Sequence, residues 1–335
     1  MRISDRQNQR NYLKNLEQAK TAYAETNERI ASGNRFTRIS DDVSAATKAL
    51  KVRSVKAKTE EYYDNVKAVN EQLSTTENAM TSINDTLSAV HTKVLSALSS
   101  TSADSGRQAI AKQIEAMRDE VLQFANTKYN DSFVLGGSTA KVAPFSMDAS
   151  GNLLYNGVNV NDITQSGGKY YDGGGNEIPM SGDTYVDIGL GLTMTGSAVK
   201  SDTAMKTSYS GLELLGFGKD SDGNPKNVIN MLTELKDSLT NYDADKVGAY
   251  DNQLVSFSTG FRGYLTDIGA KTSFLDTIEK RTDSSIDTYQ AQISRLVGID
   301  DAEEATNQSM NDYVLKAVLS MGSKIIPVSL MDFLS

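Results

Sequence analysis

His91 is the only histidine among 335 residues, and it stands beside Thr92 and Lys93 in a stretch with helical spacing. One imidazole cannot supply both a catalytic triad and a metal pair, so an exposed or half-exposed helix position is expected there. Gly189-Leu190-Gly191 with Gly196 gives part of a dinucleotide-binding pattern, but it lies in a glycine-rich context without the helix that must open behind such a turn. These glycines read as turns. Asp220-Ser221-Asp222-Gly223-Asn224 has the start of a calcium loop without its closing glutamate, and reads instead as a loop leading into a helix cap at Asn224-Pro225. There is no cysteine, hence no thiolate nucleophile, disulfide or cysteine metal site. No P-loop, nucleophile elbow or paired carboxylates stand out. No catalytic residue, cofactor or metal ligand is assigned, and the chain is expected not to be an enzyme.

What the sequence carries in abundance is amphipathic helix. From Val52 through Tyr62, Leu73, Ile83 and Val94 to Ala97, apolar or small residues recur at alternating steps of three and four. That spacing places one side chain per turn on a single helix face, a narrow stripe that needs a partner helix. No glycine or proline interrupts it between Gly33 and Gly106, so the helix predicted from Ser40 to Leu98 is roughly 80–90 Å long. Ser40 is the expected N-cap, with Asp41 and Asp42 in the first turn.

The same spacing recurs in Leu16, Ala19, Tyr23, Thr26 and Ile30, ended by Gly33. A polar turn at Ser99–Gly106 and a helix carrying Ile110, Ile114, Met117, Val121 and Phe124 predict a hairpin. Phe133, Val134 and Leu135 read as a short strand, and from Gly136 to Gly223 the chain holds 17 of its 25 glycines, with turn pairs such as Asn156-Gly157. Helix resumes with Val228, Leu232, Leu235 and Leu239. A second long helical region, Tyr264–Met321, is expected to bend or break near Ser285 and at Gly298, and Pro327 stops helix before Val328–Ser335.

The predicted fold class is mainly α: a long antiparallel coiled-coil rod built from both termini, with a small β-rich insert. Residues 41–139 and 224–284 form the rod, 140–223 the glycine-rich β-rich domain, and 1–40 and 285–335 the terminal helices, disordered in the monomer. Leu16, Ala19, Tyr23 and Ile30, with Met310, Tyr313, Val314, Ala317 and Met321, form seams too thin for a stable isolated pair and make up the expected assembly interface. A net charge of −9 argues against nucleic acid, which calls for a basic face. No run approaches a membrane span, and Met1–Gln18 lacks the apolar core of a secretory signal.

Met1-Arg-Ile-Ser4, Arg29-Ile-Ala-Ser-Gly33 and Ser40-Asp-Asp42 together resemble the N-terminal signature shared by bacterial flagellins and the flagellar hook-filament junction proteins. Asn126-Thr-Lys-Tyr-Asn-Asp-Ser-Phe-Val-Leu-Gly-Gly137 is similar to the segment by which these families enter their variable domain. The resemblance implies a structural protein exported without a cleaved signal peptide and assembled extracellularly in the flagellum, its terminal helices in an inner tube. The implied partners are further copies in a ring, hook-associated protein 1 on the hook side, flagellin on the filament side and a cytoplasmic export chaperone. Ala143-Pro-Phe145, the ending Leu330-Met-Asp-Phe-Leu-Ser335 and His91-Thr-Lys-Val-Leu95, where receptor-recognised flagellins have an Arg-Glu-Leu stretch, resemble the junction proteins more closely. Flagellin is the alternative, and a cytoplasmic coiled-coil scaffold or signalling protein the reading from another class.

Overall fold

The uninterrupted stripe becomes one helix. The computed structural model describes residues 2–36, 38–99, 104–137, 141–149, 151–178, 184–196, 198–200 and 203–325. In it α1 is Arg2–Ser32, α2 Val43–Leu98, α3 Asp104–Ala125, α4 Gly211–Leu215, α5 Val228–Asn241, α6 Ala244–Val297 and α7 Asp301–Ile325. Pro327, the tail Val328–Ser335 and the middle of the Ser99–Gly106 turn lie outside the described residues. The chain divides into two units, residues 61–282 and residues 1–60 with 283–335, and both α2 and α6 pass from one to the other.

In residues 61–282 the seam of α2 is buried from Val66 through Leu73, Met80, Leu87 and Val94 to Ala97. Facing it, α6 contributes Val247, Leu254, Phe261, Ile268 and Leu275, each seven residues from the last, so both helices present one narrow stripe to a shared core. Every fully buried aliphatic side chain contributes about 1.5–3 kcal/mol. Beside the apolar stripe runs a polar row with the same period. Tyr63 donates to Glu279 (3.4 Å), Asn70 to Asp276 (2.7 Å), Thr272 to Glu77 (3.3 Å) and Arg262 to Asn84 (3.2 Å), while His91 Nδ1 lies 2.8 Å from Asp251. As the α2 number rises the α6 number falls, so the helices run antiparallel. α3 and α5 complete the helical part through Ile114, Val121, Leu232 and Leu235.

The glycine-rich insert is made of short antiparallel pieces: β1 Lys128–Tyr129, β2 Ser132–Phe133, β3 Phe145–Met147, β4 Leu153–Tyr155, β5 Val158–Asn159, β6 Thr164–Ser166, β7 Lys169–Tyr171, β8 Tyr185–Val186, β9 Met194–Thr195, β10 Ala198–Val199 and β11 Met205–Lys206. Three of them, β3-β4-β5, form one sheet; the others pair two by two. Phe145 and Tyr155 lie opposite each other across β3 and β4, their rings edge to face at 5.1 Å. Phe145 fits because residue 211 is glycine: a β-carbon there would fall 2.4 Å from its ring.

The fold class read from the sequence holds: long helices pair antiparallel around a small β-rich insert. Local details differ. Asp42, not Ser40, caps α2, its carboxylate accepting from Ala45 N at 2.9 Å while Ser40 is spent on Asp41. Asn227 rather than Asn224 caps α5, accepting from Ile229 N (2.9 Å) and Asn230 N (3.5 Å), because Pro225 is bridged to Lys219 in the preceding loop. The strand expected over Phe133–Leu135 is shorter and ends at Phe133. Helix α6 runs unbroken through Ser285, and the slip in apolar phase falls beside the boundary between units at Thr282 without interrupting the helix. The break comes at Gly298, where a β-carbon would meet Ser294 O at 2.4 Å.

Candidate assembly interface

The unit formed by residues 1–60 and 283–335 is held by two chain reversals and a helix pair. At the reversals Asn34 bridges Gly298, Arg35 N donates to Val297 O (2.7 Å) and Ile299 N to Gly33 O (3.3 Å). Ala49, Ile293 and Val297 make a small core below them, with Phe36, Val52 and Leu296 against it. Asp300 caps α7 by accepting from Ala302 N at 3.0 Å and Glu303 N at 3.2 Å.

Helix α1 then packs along α7. The sequence-named face of α1 lies in this contact: Ala19 is buried and Leu16 and Tyr23 are half-buried, with Ile30 exposed at its end. The face that α7 offers is not the stripe of Met310, Tyr313, Val314 and Met321. Glu304, Gln308, Asn311, Leu315, Val318 and Gly322, themselves spaced by threes and fours, are the residues covered there. Arg29 is ion-paired with Glu304 and also donates to Thr26 (3.1 Å). Asn311 donates to Thr26 (2.8 Å) and Gln308 to Asn27 (2.7 Å), while Asn307 braces Glu304 at 3.1 Å. At the far end Tyr12 lies over Gly322, its hydroxyl 2.1 Å from where a β-carbon would stand. The partner order again makes the pair antiparallel.

The remaining sequence-named residues occupy a different side of α7. Met310 (61% exposed), Tyr313 (74%), Val314 (42%) and Met321 are exposed, with Ala317 half-buried among them. At 3.6 residues per turn this stripe lies about 120° around the helix from the row that meets α1. The structure thus brings Leu16, Ala19 and Tyr23 to α7 and leaves Met310, Tyr313, Val314 and Met321 facing outward. What the apolar reading missed was the mixed row from Glu304 to Gly322, polar through Asn311 and apolar from Leu315 on, whose signal is its spacing.

Burial alone pushes the Glu304 carboxyl up, but the hydrogen bonds from Arg29 and Asn307 and the Arg29 charge outweigh it and hold the group below its usual range. A carboxylate whose pKa is depressed by folding contributes stability that is complete above its unfolded pKa, about 4.3, and lost as pH falls through the lower folded value. Pairing of α1 with α7, followed by amide exchange of the isolated chain, is therefore expected to weaken progressively below that pH. Glu304→Gln should flatten this dependence; an unchanged pH profile in the variant would remove Glu304 as its source.

The chemical candidates are occupied structurally. His91 is bound to Asp251. Asp220 accepts from the backbone of Asp222 and Asn224 and from the Asn224 amide, and these bonds, the Asn224 backbone first, hold its carboxyl below the usual range. The arrangement occurs three times, at Asp148–Asn152, Asp172–Asn176 and Asp220–Asn224: in each the aspartate takes the asparagine N–H at 2.8 Å and a glycine sits at the third step with φ near +80°. These are self-closing turns. Among the described residues no group of three or more His, Asp or Glu could hold a metal ion, and no helix is long and apolar enough to cross a membrane.

Residues 3–140 match the N-terminal helical region of bacterial flagellins. Over 152 residues, 45% of this chain, the sequence is 23% identical to flagellar hook-associated protein 3 of Salmonella typhimurium, and the match spans about half (48%) of that protein's length. In fold the chain is similar to a protein from Vibrio parahaemolyticus described as a flagellar hook-associated protein, with TM-score 0.58 and 19% identity over 77% of this chain and 100% of that one. It is also similar to FlgL of Bacillus cereus, with TM-score 0.50 and 18% identity over 73% of this chain and 99% of that one. The chain is thus similar in sequence, over its N-terminal part, to the flagellin N-terminal region and to hook-associated protein 3, and similar in fold, over most of its length, to those solved structures.

Proposed function

We propose that this chain is a structural subunit of the bacterial flagellum, forming the junction between the hook-associated region and the flagellin filament. The observation that carries the reading is the coincidence, in one chain, of the helical region with which flagellins begin and likeness to hook-associated protein 3. The exposed stripe on α7 supports it, since an assembling subunit needs an apolar surface that its own fold leaves uncovered. On this reading the subunit is exported without a cleaved signal, held before export by a cytoplasmic chaperone, and works outside the cell as a ring of copies between hook-associated protein 1 and flagellin. It needs no catalysis or cofactor. The terminal helices α1 and α7 become firmly ordered only in the assembly, because their thin, half-polar contact contributes little beyond the entropy of ordering both helices.

Flagellin is the second reading, favoured by the matched region itself. Deleting the coding sequence separates the two. Loss of motility with flagellin spilled into the medium supports the junction; bare hooks carrying complete hook-associated caps support flagellin. A motile, normally flagellated deletion strain would reject both.

A further inference from the structure

The reversal that joins α1 to α2 leaves a pocket of about 310 Å³, floored by Ala46, Ala49 and Val297 and rimmed by Arg38 and Arg53. Neither guanidinium has an ion-pair partner among the described residues, and Ile39, Val43 and Leu50 beside them are exposed. Val43, Ala46, Leu50 and Arg53 follow one another at steps of three, four and three, so they share one side of α2. The outward side of α7 has the same spacing in Glu303, Thr306, Met310 and Tyr313, and Glu303, like Arg53, is exposed with an uncommitted side chain. One surface is apolar with a cation at its end; the other carries Met310 and Tyr313 beyond Thr306, with an anion at its end.

We infer that the first turns of α2 in one copy receive the outward side of α7 from a second copy, running antiparallel, with Arg53 opposite Glu303, Leu50 opposite Thr306, Met310 in the pocket at Ala46 and Tyr313 against Val43. This deepens the proposed function and rests on it. Only the antiparallel direction joins the two charges while laying Met310 and Tyr313 over Ala46 and Val43; the parallel direction sets Arg53 against Tyr313 and Val43 against Glu303. Two different surfaces meet, so each copy can receive one neighbour and dock onto another, as a ring or helical array requires.

Two experiments on the full chain, expressed in the deletion strain, test the contact. Arg53→Glu and Glu303→Arg are each expected to cut filament-bearing cells at least tenfold, and the double reversal to restore most of the loss. Because the chain contains no cysteine, Leu50→Cys with Thr306→Cys should in addition give reducible dimers and longer products from assembled flagella, and none from either single variant or from dilute monomer. Charge variants that assemble like the parent would overturn the contact, as would a double reversal no better than the singles when all three are exported and folded, or a cysteine pair that cross-links only within one copy. Loss of motility on deletion combined with any of these results rejects the contact alone; normal flagella on deletion reject the proposed function.

Discussion

Val314→Asp is expected to abolish incorporation into flagella while leaving the isolated chain's circular dichroism and thermal unfolding unchanged. Val314 is exposed and turned away from α1, so in the free chain the new carboxylate stays in water, whereas in an assembly that covers the stripe an unpaired charge costs several kcal/mol. Ala19→Asp gives the contrasting result. Ala19 is 7% exposed, against α7, and a carboxylate there is expected to cost about 3 kcal/mol or more within the single chain. That is enough to unpair a contact as thin as that of α1 with α7, so amide protection in both helices should disappear along with assembly. The measurement is amide exchange of the soluble variants set beside filament counts. If Val314→Asp assembled normally, the outward stripe would not be an interface; if it unpaired the terminal helices, the side chain would belong to the α1–α7 contact instead.

The second large effect lies in the seam of α2. Leu87→Ala is expected to destabilise the unit of residues 61–282 by about 2–5 kcal/mol, through lost burial and the cavity left behind. Leu87 is fully buried, and its neighbours along the stripe, Ile83 and Val90, are as well, so little can move in to fill the space. Leu95 is the internal control. It belongs to the same helix, two turns further on, but is 54% exposed, and Leu95→Ala should change stability by less than about 0.5 kcal/mol. Urea unfolding followed by circular dichroism decides it, and equal midpoints for the two variants would contradict the burial pattern.

The long helices are legible in the sequence because a stripe spaced by threes and fours has one cheap way to leave water, which is to form a helix and find another. Val66 to Ala97 behaves as that argument requires, and the glycine-rich insert between Gly136 and Gly223 is likewise marked locally, since turns demand glycine, asparagine and aspartate by their backbone geometry. The repeated Asp-x-x-Gly-Asn turns are equally local, a pattern that shows when the three are compared with one another. What lies beyond the sequence is the long-range partner that a polar residue takes. Tyr63, Asn70, Glu77, Asn84 and His91 acquire meaning only opposite Glu279, Asp276, Thr272, Arg262 and Asp251, and Glu304, Gln308 and Asn311 become a pairing face only because Arg29, Asn27 and Thr26 stand across from them. An apolar side chain leaves water against almost any apolar neighbour, so its burial is set by its own periodicity. A hydrogen bond needs a particular partner at about 3 Å, and in these pairs that partner stands 160 residues away or more, where only the tertiary fold can put it.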